Sequence, residues 1–172
     1  MACTIIEGRQ IDCRDSVGGV AEIYIAEYTN VSQAAITASS GSITAMNCLP
    51  GKKFYTFQVE KGNAQFDEKP IVSVDNGTNY TEQTLTFNMK KLSAAMRNDL
   101  MTISQNRLMV IVKDNNGLYR LAGQVGGMDL SDATASTGKA FGDLNGVTLT
   151  LKGMEPVMAN YISSAIVTTL LS

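Results

Sequence analysis

The chain lacks histidine, and with it the side chain that most often serves as general base or metal ligand near neutral pH. A serine or cysteine nucleophile would have to borrow a lysine or carboxylate instead, and the Gly-x-Ser-x-Gly frame that presents such a serine does not occur. The carboxylates are scattered as Asp12 and Asp15, Glu22 and Glu27, Asp129 and Asp132. Asp129-Leu130-Ser131-Asp132 could offer two oxygens to a hard cation, but it lacks the dense oxygen series of a calcium loop and reads as solvated turn carboxylates. Gly123-Gln124-Val125-Gly126-Gly127 and Gly138-Lys139 invite a phosphate-loop reading, yet neither nucleotide fingerprint is matched and no helix pattern follows. These glycines read as shaping a strand. Neither a catalytic group nor a cofactor or metal is expected.

The three cysteines, Cys3, Cys13 and Cys48, have no metal-ligand spacing and leave an odd one over, so reduced thiols are expected. With a net charge of -2 and no basic cluster beyond Lys52-Lys53 and Lys90-Lys91, the chain has no footprint for binding nucleic acid by charge. The opening MACTIIEGRQIDCRD has no basic region leading into an apolar one, and no stretch reaches the length of a membrane span, so neither export nor spanning is expected. Without export, the sequons at Asn30, Asn76 and Asn79 are turn chemistry. Charged residues make up only 17%, which suits a subunit that hides much of its surface against copies of itself. Nine methionines fit core filling or adaptable subunit contact.

A chain of 172 residues is expected to form a single domain. Arg107 to Val125 reads as two strands around Asp114-Asn115-Asn116-Gly117, because Asn-Gly supplies the positive φ angles of a tight hairpin. A glycine-rich connection then leads to a strand from Gly146 to Lys152, in which Val147, Leu149 and Leu151 alternate with Thr148, Thr150 and Lys152. Val20 to Tyr28 alternates likewise. Thr29 to Ser42 reads as a loop or weak helical turn, and Ser42 to Asn47 as a short strand. Lys53 to Glu60 is expected to turn at Lys61-Gly62-Asn63 and pair with Ala64 to Glu68 as a meander. Pro70 marks an edge or the start of a new strand at Ile71, and Asp75-Asn76-Gly77 turns the chain into Tyr80 to Met89. The helix is placed over residues 91–103, with Leu92, Ala95, Met96, Leu100 and Ile103 in its apolar stripe and Asp99 as a blemish. The ending YISSAIVTTLLS suits a final strand or a short amphipathic helix.

At GLYRLAGQVGGMDLSDATASTGKAFGDLNGVTLTLKGMEPVMA the chain resembles the C-terminal part of tail-tube and related ring proteins of tailed phages, of the Bacteroidota phage type. The resemblance rests on a strand ending in a Gly-Gly-x-Asp-Leu turn, a small-residue loop and the closing strand VTLTLKGMEP. It spans mainly residues 117–159, with weaker support from DSVGGVAEIYIAEYTNV. It implies a mainly β fold with one helix: a tail-tube-like β-sandwich or half-barrel with helix 91–103 packed on the sheet, an N-terminal arm 1–19 and a C-terminal strand or arm 160–172. It also implies a structural virion protein that folds in the host cytoplasm and forms homo-oligomeric rings, hexameric or a multiple of six. These rings would build a tail tube or tail adaptor that meets neighbouring tail or connector proteins and passes phage DNA without reading its sequence. A head-tail connector or capsid-decorating protein is the structural alternative. A carbohydrate-binding module is weakened by 6% aromatics and no tryptophan. The segment Met128 to Phe141 is expected to be the subunit-contact loop, through Met128, Asp129, Leu130, Lys139 and Phe141.

Overall fold

The computed structural model describes Gly8 and residues 13–172, and among these it is a sandwich of two sheets with two short helices. Eleven strands are present: β1 Val20–Glu27, β2 Thr37–Ser39, β3 Ser42–Ala45, β4 Tyr55–Gln58, β5 Ala64–Ser73, β6 Thr78–Lys90, β7 Leu108–Asp114, β8 Tyr119–Ala122, β9 Asp129–Ser136, β10 Gly146–Glu155 and β11 Asn160–Ile162. The helices are α1 Ala94–Gln105 and α2 Ser164–Leu171. One sheet has the order β2-β3-β11-β8-β7-β1-β4 and the other β5-β6-β10-β9. The expected mainly β sandwich is present, with two helices where one was expected.

β1 and β7 are buried on both faces, which is why their apolar runs are nearly continuous. Ile23, Ile25, Val110 and Val112 face the four-stranded sheet and meet Leu85, Phe87, Leu149 and Leu151. Tyr24, Ala26, Met109 and Ile111 face the other way, under Phe54, Met46 and the α2 residues Val167 and Leu170. Helix α2 starts at Ser163, whose hydroxyl accepts from Ile166 N at 3.4 Å, and Phe54 N donates to Leu170 O at 3.0 Å. The C-terminus is therefore a short strand followed by a helix that closes a second core layer.

The strands of the two sheets cross. β1 and β7 begin and end at Val20 and Asp114, which line a hollow with Ala64 and Phe66 of β5. Their other ends lie towards β9, where Leu108 bridges Met128. This is orthogonal sandwich packing. Along the β6 axis, β4 lies near the end of β6, where Lys90 pairs with Glu60, and β8 closer to its middle, where Gly123 N donates to Gln83 Oε1 at 2.9 Å.

Several expectations are corrected. Lys61-Gly62-Asn63 does turn the chain, but β4 pairs with β1 and β5 with β6, so the turn carries the chain between sheets and no β4–β5 hairpin forms. Pro70 does lie on an edge, as one of its two readings expected, but it starts no new strand: β5 runs through it without a break, its outer edge unpaired among the described residues. The segment from Thr29 to Ser42, expected as a loop or weak helical turn, does contain helical turns at Tyr28–Asn30 and Gln33–Ala35, and adds the short strand β2. Helix α1 starts later than expected because Lys91 is left-handed (φ 68°) and Ser93 is the cap, accepting from Met96 N at 3.2 Å. Its packed stripe narrows to Met96, Leu100 and Ile103, leaving Leu92, Ala95 and Asp99 exposed. Of the expected arm, residues 1–7 and 9–12 lie outside the described residues, as does Cys3. Val17 and Gly19 dock on the β7–β8 turn: Val17 N donates to Asn116 Oδ1 at 2.8 Å and Asn115 N to Gly19 O at 3.1 Å.

Candidate functional site

The four-stranded sheet has two unlike faces. Leu85, Phe87, Val147, Leu149 and Leu151 are buried on one. On the other, the register aligns Gln65, Thr86, Thr150 and Asp132 in one row and Asp67, Thr84, Lys152 and Asp129 in the next. Lys69, Glu82 and Met154 continue that face towards one end, and Asn88, Thr148 and Thr134 towards the other. Nothing else in the described chain packs over it as a layer, and its charges nearly cancel: Asp67, Glu82, Asp129 and Asp132 against Lys69, Lys90 and Lys152. Lys152 Nζ lies 3.4 Å from Glu82 Oε1.

Among the described residues, the outer edges of β5 and β9 are unpaired. Edge strands of ten and eight residues are long for a sheet left open, since each presents a row of free N–H and C=O groups. β5 and β9 also run in opposite directions, because four antiparallel strands separate into two of each sense. The β9 edge of one copy can therefore continue into the β5 edge of another with antiparallel alternation intact.

The expected contact residues are not one loop. Met128 is fully buried and belongs to the core, so it is unavailable to a neighbouring subunit. Asp129 is exposed on the polar face at the start of β9, and Leu130 is half-buried against the core. Lys139 and Phe141 lie beyond the other end of β9, in a turn where Lys139 N and Ala140 N donate to Asp143 Oδ2 at 2.8 and 2.7 Å. These two hydrogen bonds hold the Asp143 carboxyl below its ordinary range. Phe141 projects fully into solvent. β9 itself supplies the exposed surface that the sequence suggested was a loop.

Ser136 and Lys139 also stand in a Ser-x-x-Lys spacing. On a helix this would place both side chains on one face. Here β9 ends at Ser136, Gly138 is left-handed (φ 73°), and Ser136 Oγ accepts from Gly138 N at 3.1 Å, so the pair shapes a turn.

The glycine loop after β8 does hold an anion, from within the chain. The Glu155 carboxylate accepts from Val125 N (3.0 and 3.1 Å) and Gly126 N (2.8 Å) and is itself buried. Tyr28 Oη donates to Val125 O at 2.5 Å, and the Arg107 guanidinium lies 5.4 Å from the Tyr28 ring. A side chain at Gly126 would meet Met154 O at 2.8 Å, so this glycine permits a close backbone approach. The signal in the sequence was a carboxylate at an inward position of an alternating strand: Val147, Leu149, Leu151, Gly153, Glu155. Replacing Glu155 with alanine strands these N–H groups, and urea denaturation is expected to show a loss of about 2–4 kcal/mol, with a smaller loss for Glu155→Gln, which keeps one acceptor.

On the seven-stranded sheet, Glu22 accepts from Tyr24 Oη at 2.5 Å and from Lys113 Nζ at 3.0 Å, which lowers its carboxyl below the ordinary range. Burial, reinforced by Glu22, pushes the Tyr24 hydroxyl up. Lys113 Nζ also sits 5.6 Å from the Tyr119 ring. This cluster ties neighbouring strands together. Burial raises the Cys48 thiol as well, while Cys13 is exposed. No helix among the described residues is long and apolar enough to cross a membrane.

Compared with protein-family models, curated protein sequences and solved structures, the chain has no match.

Proposed function

We propose that this chain is a non-enzymatic virion subunit that closes into homo-oligomeric rings, building the tail tube or tail adaptor of a phage. The observation that carries the reading is the four-stranded sheet: one face buried, one face polar, and two long edges of opposite sense that are unpaired among the described residues. Joining β9 of each copy to β5 of the next gives a continuous barrel, and closure removes the aggregation liability of both edges at once. The polar face then lines the lumen. Its threonine, asparagine and glutamine content and near-balanced charge suit transient passage of DNA, because a surplus of lysine or arginine would hold phosphates in a salt-dependent way.

Negative-stain imaging of the concentrated protein tests this reading. Rings or tubes with a central channel are expected. Particles that stay monomeric at all concentrations contradict it.

A further inference from the structure

An asparagine followed by glycine can modify itself, because the missing side chain leaves the glycine nitrogen free to reach the preceding carboxamide carbon. The chain holds three such pairs: Asn76-Gly77, Asn116-Gly117 and Asn145-Gly146. The fold restrains them unequally.

Asn116 is clamped in the β7–β8 turn. Its Oδ1 accepts from Val17 N and its Nδ2 donates to Val17 O, both at 2.8 Å, while Gly117 N donates to Asp114 O at 3.1 Å. Asn145 is held through both of its oxygens: Oδ1 accepts from Leu92 N at 3.3 Å, and the main-chain O accepts from Lys91 N at 2.7 Å. Gly146 is buried in β10, paired with Lys90 on one side and Ser136 on the other and crowded by Met89 O. Closing a ring at either pair would first have to break these contacts.

Asn76 is held by none of this. It lies at the tip of the β5–β6 hairpin, in the turn at residues 74–77 beyond the last strand pair, Ser73 with Thr78. Its carboxamide is exposed and makes no hydrogen bond among the described residues. Gly77 has open space around it, and its nitrogen is tied only by a long hydrogen bond to Val74 O at 3.3 Å.

We propose that Asn76 is a self-modification site, converting to aspartate and isoaspartate in the folded protein ahead of Asn116 and Asn145. The Gly77 nitrogen gives its proton to base and attacks Asn76 Cγ. The Cγ–Nδ2 bond breaks, ammonia leaves, and a five-membered succinimide remains. Water then opens the ring at one of two bonds. Cleavage of the new N–Cγ bond yields aspartate, whereas cleavage of the original peptide bond yields isoaspartate, whose main chain runs through Cβ and Cγ. Either product adds a negative charge beside Asp75 and between the strands' exposed tip residues, and the isoaspartate route also lengthens the turn. The paired strands below the turn are untouched, so the hairpin tip changes charge as the protein ages while the subunit stays folded. The reaction needs a single chain and goes beyond the ring reading, so its outcome is separate from that of ring closure.

The full chain is incubated in mildly alkaline buffer made with heavy-oxygen water, digested, and followed by peptide mass spectrometry, where the incorporated oxygen marks conversion that preceded digestion. Asn76 is expected to convert at least about tenfold faster than Asn116 or Asn145, since those two must first lose hydrogen bonds. In concentrated guanidinium chloride the restraints vanish, and the three rates are expected to converge to within about threefold. Asn76→Gln protein, whose longer side chain would have to close a less favourable six-membered ring, should lose the early acidic species on anion exchange. Equal rates in the folded protein, or Asn116 or Asn145 converting first, overturns the proposal. A lead for Asn76 that persists unchanged in denaturant also overturns it, because the fold would then not be what selects the site.

Discussion

Replacing Ala133 and Ala135 with lysine is expected to abolish assembly while leaving the subunit folded. Both alanines lie on β9 opposite Leu149 and Val147, on the sheet's inward side, yet both are exposed because β9 is an edge. Ala135 faces a crevice with Leu92, Met96 and Leu100 of the α1 region. In the isolated subunit each lysine can extend its ammonium into water, so the cost to folding is expected to stay within about 0.5 kcal/mol per site. Once β5 of a neighbour pairs alongside, the same ammonium groups sit under a sheet, and inward charge is a known device for keeping edges apart. A penalty of about 2 kcal/mol at each seam weakens each contact roughly thirtyfold, and a ring carries it at every seam. Size-exclusion chromatography should show monomer with an unchanged melting temperature. Assembly that survives both lysines would place the seam elsewhere.

The largest effect on stability is expected from Phe87→Ala. Phe87 is fully buried in β6, paired with Ala64 on one side and Leu149 on the other, and belongs with both to the core between the sheets. Truncating a buried phenylalanine costs about 3–5 kcal/mol through lost transfer energy and an unfilled cavity. Set against a total of about 5–15 kcal/mol for a typical domain, the variant should be close to unfolded in dilute urea. Phe141→Ala serves as the internal comparison: its ring is fully in solvent and should change stability by no more than about 0.5 kcal/mol. Equal urea midpoints for the two variants would mean that the sheets do not pack through Phe87.

The parts of this fold that could be read in advance are those where pattern and pairing agree. The β7–β8 hairpin, β6 and β10 carry regular alternation or an Asn-Gly turn, and each lies where its alternation places it. β9 carries neither. Its sequence DLSDATAS has no apolar period because an exposed edge strand buries little, and its extended conformation comes from pairing with β10. The turn at Lys61-Gly62-Asn63 was legible, but a turn signal does not specify a partner, and the chain uses this one to change sheets. At the C-terminus, β-branched Ile166, Val167, Thr168 and Thr169 favour a strand, and the Ser163 cap with burial of Val167 and Leu170 overrides them. Met128 was assigned to a contact loop from its glycine-rich surroundings, yet those glycines let the backbone approach closely enough to bury it. Of the candidate assembly face, the alternation in β6 and β10 was visible, while the two edges depend on strand order.

Native mass spectrometry of the intact chain measures ring closure most directly. A closed ring predicts one discrete oligomer, or stacks of whole multiples of it, whose subunit number stays fixed as concentration rises. A monomer at every concentration, or a continuous ladder of sizes added one subunit at a time, would contradict it.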